Sequence, residues 1–189
     1  MGLIDWWKGR SAPLEDSRLR TWRAAWDKAA STGDTRQIAQ LAAELDAFGL
    51  PDDDVEIERE MLEALRDREA LSAAVRAGGL PLVETGHRAV RGEPCHYSAP
   101  ASMPDEPGQP GGRLLLTSSR AVFVGGPNGL AAAWHSISRA MHIDRDLVLT
   151  RNGRDRVYRF RCNAYGDALR AAFIADELLR PRQGIRDKG

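Results

Sequence analysis

Lysine is almost missing from this chain. Lys8, Lys28 and Lys188 are the only three, although there are 27 basic and 27 acidic side chains. The positive charge is therefore nearly all arginine, whose planar guanidinium suits carboxylate and phosphate. Net charge is zero, so the excess that draws proteins to polyanions is lacking, and no nucleic-acid partner is expected. Cysteine is scarce too. Cys95 and Cys162 are the only two, and they are expected to be reduced thiols rather than a disulfide framework. No apolar run approaches the roughly 20 residues of a spanning helix. The first ten residues have no signal-peptide core or cleavage site. A cytoplasmic protein is expected, with peripheral placement at the inner membrane face as the alternative.

Reactive motifs are lacking as well. There is no Cys-x-x-Cys or His-x-x-x-His spacing for zinc, no phosphate-binding GxGxxG or Gly-Lys-Ser/Thr, and no Gly-x-Ser-x-Gly elbow. The histidines are His87, His96, His135 and His142. Adjacent Cys95 and His96 would point to opposite faces of a strand. The expectation is a protein that is not an enzyme, with no catalytic residues, no metal and no cofactor. A pocket formed by Cys95, His135, His142 and the Pro100–Gly112 loop is the competing catalytic or ligand-carrying reading, and it requires those groups to share one cleft.

What is present begins with helices. Residues 1–13 read as a flexible arm with Leu3, Ile4, Trp6 and Trp7 on one side. From Leu14 to Ala30, Leu19, Trp22, Trp26 and Ala29 keep helical spacing, and the two Trp are expected in a core. Asp34 caps a second helix, with Gln37 at the capping-box position, Ile38, Leu41, Leu45 and Phe48 as its stripe, and Gly49 as its stop. Pro51-Asp-Asp-Asp54 opens a third, putting acids at its positive end. Residues 1–79 are thus a helical hairpin or three-helix unit, ending at Gly78-Gly79.

From Leu80 the pattern alternates with period two. One or two strands are expected around Val83 and Cys95 to Ser98, then a structureless loop over Pro100–Gly112. Arg113–Thr117 and Arg120–Val124 form a tight hairpin, followed by strands at Leu130–His135 and Ile137–Ile143. Asn152-Gly153 predicts a two-residue hairpin turn. It would pair Leu147 with Tyr158 and Asp146 with Arg159, putting Leu147, Leu149, Tyr158 and Phe160 on one face. A helix from Asn163 or Tyr165 runs to Pro181. Residues 183–189 read as a disordered tail. The fold class is α+β.

The second half resembles a pleckstrin-homology-like domain of the GRAM-type or bacterial kind. The resemblance rests on Gly92-Glu93, Gly112-Arg-Leu-Leu-Leu-Thr117 followed by Arg120-Ala-Val-Phe123, Trp134-His-Ser-Ile137, Asp146-Leu-Val-Leu149 leading to Tyr158-Arg-Phe160, and a closing helix over Ala168–Leu179. It covers about residues 80–180, and the domain is bounded at 80–182. It implies an antiparallel β-barrel closed by a C-terminal helix. The closing helix lacks the family's Trp. Arg88 and Arg91 do not make the basic cluster of phosphoinositide-binding members.

The function these readings favour is a non-enzymatic binding or adaptor protein whose barrel engages a protein or peptide, or a second copy of the chain. The alternative is association with anionic lipid through Trp6 and Trp7 and the hairpin tip, where Arg151, Arg154 and Arg156 offer guanidinium groups for a phosphate or a partner's carboxylate.

Overall fold

The computed structural model describes residues 17–180 except Gly33, Thr35, Arg91, 126–128 and 154–156. The arm with Leu3, Ile4, Trp6 and Trp7, the tip residues Arg154 and Arg156, and the tail at 183–189 lie outside the described residues. Two compact units divide the chain, Met1–Leu62 and Glu63–Gly189.

The first unit holds α1 (Ser17–Thr32), α2 (Arg36–Ala47), a 3-10 turn at Asp52–Asp54, and the start of α3 (Glu56–Gly78). Trp22 and Trp26 are its centre, 1% and 0% exposed. An indole cannot be buried without a partner for its N–H. Trp22 donates to the Leu41 carbonyl at 2.8 Å and Trp26 to the Met61 carbonyl at 2.6 Å. Each Trp therefore ties α1 to another helix. Glu58 is also buried, and Arg23 neutralises it at 2.6 Å. At the start of α2, the Asp34 carboxylate accepts from the Arg36 amide at 3.0 Å, satisfying a helix-end donor. Gln37 donates its side-chain amide to the same carboxylate rather than reaching back to the Asp34 backbone. Gly49 follows α2 with φ +62°, a conformation that glycine adopts without strain.

The second unit takes the rest of α3, seven strands and α4 (Tyr165–Leu179). The strands are β1 (Cys95–Ser102), β2 (Gly111–Thr117), β3 (Arg120–Gly125), β4 (Leu130–Ala133), β5 (Ile137–Ile143), β6 (Asp146–Arg151) and β7 (Val157–Cys162). They form one antiparallel sheet in the order β4-β3-β2-β1-β7-β6-β5. The protein is α+β, with helices first, then the sheet, then a closing helix. The expected closed barrel is not formed, because β4 and β5 stand at opposite edges with no ladder between them. A 3-10 turn at Trp134–Ser136 carries the chain from one edge to the other. Trp134 anchors that corner by donating to the Thr117 carbonyl at 2.8 Å. Among the described residues the two halves of the sheet are paired where Ala101 meets Cys162 and Ser102 meets Arg161.

Alternation sorts the side chains. Tyr97, Leu114, Leu116, Phe123, Leu147, Leu149 and Phe160 share one cluster with Ala171, Ile174 and Ala175 of α4. The small residues on α4 let the helix backbone approach the sheet closely. Phe173 and Leu178 are partly buried and pack against the margin of this cluster. The Arg68 guanidinium covers the Phe173 ring at 5.8 Å, and Arg170 pairs with Asp67 at 3.2 Å.

Several local expectations are corrected. No strand forms around Val83, whose amide makes a single bond to the Cys95 carbonyl at 2.8 Å. The loop is shorter than Pro100–Gly112, since β1 runs on to Ser102 and β2 starts at Gly111. The β6–β7 register is shifted by two, with Asp146 opposite Arg161, Leu147 opposite Phe160 and Leu149 opposite Tyr158. Asn152 explains the shift. Its amide donates to the Ser136 carbonyl at 2.9 Å and its side chain to the His135 carbonyl at 2.8 Å. Held at that corner, Asn152 does not take positive φ, whereas Gly153 does, at +62°. The two-residue turn needs both.

Candidate functional site

The face of the sheet away from α4 carries a second, smaller apolar cluster of Val90, Cys95, Leu115 and Val122, with Ala89 and Val124 packed against it. It forms because β2 and β3 place Leu115 and Val122 opposite each other on that face. A 3-10 turn at Arg88–Val90 then folds over them.

Glu93 fastens the turn. Its carboxylate accepts from the hydroxyls of Thr117 and Ser119 and from the Arg120 guanidinium. Those hydrogen bonds, Ser119 foremost, outweigh the opposing effect of burial and hold the Glu93 carboxyl below the usual range. Arg120 also donates to the Ala89 carbonyl at 3.2 Å. Its Nε is buried and meets no acceptor among the described residues.

Beside this cluster runs a groove of about 350 Å³. Val122, Val124 and Ala131 give it apolar walls, and His87, Arg88 and Arg120 give it polar ones. It borders β4, the edge strand of this half of the sheet. Arg88 is exposed and has no carboxylate partner among the described residues. His87 accepts the Ala89 amide through Nδ1 at 3.1 Å, which leaves Nε2 as the protonated nitrogen of a neutral ring. The arrangement offers an apolar surface, one positive rim group in Arg88, and an edge strand. Those suit an extended chain carrying a carboxylate.

The residues singled out in the sequence are scattered. Arg151 ends β6, half-buried, with its guanidinium 5.5 Å from the Tyr158 ring centre. Cys95 is buried in the outer-face cluster, and burial raises its thiol pKa. His96 donates from Nδ1 to the Pro81 carbonyl at 2.8 Å, which leaves Nε2 to accept from Ser118 Oγ at 3.0 Å. His135 is exposed, and His142 is half-buried near Arg68 and Asp144. The groove is lined by none of Cys95, His135 or His142. Among the described residues no cluster of His, Cys, Asp or Glu has metal-holding geometry.

Sequence reasoning passed over Arg120 and the groove. The signal available was Gly92-Glu93 together with Thr117-Ser-Ser-Arg120, a carboxylate and three of its donors on separate segments. Nothing local shows that they meet. Among the described residues no helix is long and apolar enough to cross a membrane. No protein-family model and no curated protein matches the chain.

Proposed function

We propose that the chain is a non-enzymatic binding protein of the cytoplasm, whose second unit is a pleckstrin-homology-like domain that engages a partner protein. The bound segment is an extended, acidic peptide laid in the groove beside β4. The observation that carries this reading is the groove itself, with apolar walls, Arg88 on its rim without a carboxylate partner among the described residues, and an edge strand along its side. An edge strand presents unpaired backbone groups that a peptide can satisfy. Charge selects the peptide through Arg88, and the His87 Nε2–H is a second donor that an acidic side chain can satisfy. The family reading draws support from the strand order, with three strands on each side of β1, and from α4 packed on the inner face.

The test is selection from a displayed random-peptide library against the full chain. Enriched peptides should combine an acidic residue with apolar neighbours. Arg88→Glu should weaken them about tenfold, the worth of one charge-assisted contact, and Ala131→Glu should abolish binding by filling the floor. Failure to enrich any peptide, or enrichment that both variants leave unchanged, contradicts the proposal.

A further inference from the structure

A second cavity, of about 560 Å³, lies where the two halves of the sheet join. It exists because a row of small residues crosses the strands there. Gly112 pairs with Ala101 and Ala101 with Cys162, while Gly111 pairs with Ser102 and Ser102 with Arg161. The Cys162 amide donates to the Arg145 carbonyl at 2.8 Å, which brings the β5–β6 turn to the same place. The walls carry two guanidinium groups, Arg145 and Arg161, with Ser102 and Asn163 as neutral polar neighbours, and no carboxylate.

The two arginines are presented differently. Arg161 is fixed from below. Its Nε and Nη2 donate to Asp146, which is 1% exposed, at 2.9 and 3.3 Å, and its Nη1 is not used in that contact. Arg159 takes the remaining capacity of the same carboxylate, so Asp146 is consumed as a support. Arg145 is exposed, lies 5.7 Å from the Tyr165 ring centre, and spends one N–H on the Asn163 carbonyl at 3.2 Å. No carboxylate pairs with Arg145 among the described residues. Asp105 sits 3.7 Å from Arg159 and Asp144 precedes Arg145 in the chain, but neither lines the cavity.

We propose that this seam is a phosphate-binding site, with Arg145 and Arg161 as its two guanidinium donors. Two forks approaching one space, one from β7 and one from the β5–β6 turn, match a group with three charged oxygens better than a carboxylate, which one fork satisfies. The site is separate from the groove beside β4 and does not depend on it. A free phosphate compound and a lipid headgroup present the same chemistry here.

The test is titration of the full chain with inorganic pyrophosphate at low salt, read on backbone amides. Saturable shifts are expected at Ala101, Ser102, Gly111, Gly112 and Arg161–Asn163. Arg145→Gln should weaken binding about tenfold. Gly111→Val should abolish it, since a Cβ at Gly111 meets nothing within 4 Å and a side chain there enters open space without disturbing the sheet. Cosedimentation with phosphatidylcholine vesicles containing phosphatidic acid, against phosphatidylcholine alone, separates the two sources. Pyrophosphate binding without vesicle binding identifies a soluble ligand, and binding of both identifies a headgroup. The proposal is overturned if neither probe binds, or if binding survives both substitutions.

Discussion

Asp146 shows what one residue decides in this protein. Burial alone would raise its carboxyl pKa, but hydrogen bonds from Arg161 and Arg159 outweigh that and leave it below the usual range. A depressed folded-state pKa means stability that is present above the unfolded value, about 3.9 for Asp, and lost as pH falls through the folded value. Glu93 behaves in the same direction. Melting temperature should therefore fall between about pH 5 and pH 3, and Asp146→Asn should flatten that part of the profile while costing about 2 kcal/mol at neutral pH. A second, higher drop belongs to His142, whose imidazole is held low by burial and by Arg68 against the opposing Asp144. Its stabilisation is present above the unfolded value near 6.5 and declines below it. The cysteines supply another check. Burial, with Asp167 adding to it, pushes the Cys162 thiol up to about 12, and burial raises Cys95. Neither thiol should react with a disulfide reagent at neutral pH until the chain unfolds. Fast labelling of the native protein would contradict this burial.

At the scale of elements, the β2–β3 ladder makes a sharp prediction. A Cβ on Gly112 would lie 2.3 Å from the Val124 carbonyl oxygen and 2.7 Å from the Gly125 Cα, so the backbone itself must move. Gly112→Ala should cost about 2 kcal/mol or more, a fall of roughly 4–8 °C in melting temperature. Gly111→Ala, one residue earlier, should be nearly neutral, because its Cβ meets nothing. Calorimetry of the pair distinguishes close approach from a general intolerance of side chains in β2. The same scale shows what could be read in advance. Helices were legible because the spacing of Leu19, Trp22 and Trp26, the Asp34 cap and the Gly49 stop are each signals within one segment, although the bonds of the two Trp run to other helices. Strand identity was legible from alternation, and so was facing. The shifted β6–β7 register leaves Leu147, Leu149, Tyr158 and Phe160 on the inner side, because a slip of two residues preserves the period of two. The register itself was not legible, since Asn152 is held by Ser136 and His135 on a different segment. The groove and the seam were hidden for the same reason. The groove joins the turn at Arg88–Val90 to β3 and β4, and the seam joins β1 and β2 to the end of β7, so each is assembled from segments far apart in sequence.

At the scale of the whole molecule, the proposed function rests on an open sheet. A closed barrel would have paired β4 along both sides, whereas here β4 is an edge and has the groove beside it. The most direct measurement is amide hydrogen exchange of the full chain with and without a selected acidic peptide. The account predicts slowed exchange at Leu130–Ala133 and around Arg88–Val90, with Ile137–Ile143 at the opposite edge unchanged. Slowing confined to Ile137–Ile143, or no slowing at either edge when the peptide is bound, would contradict it.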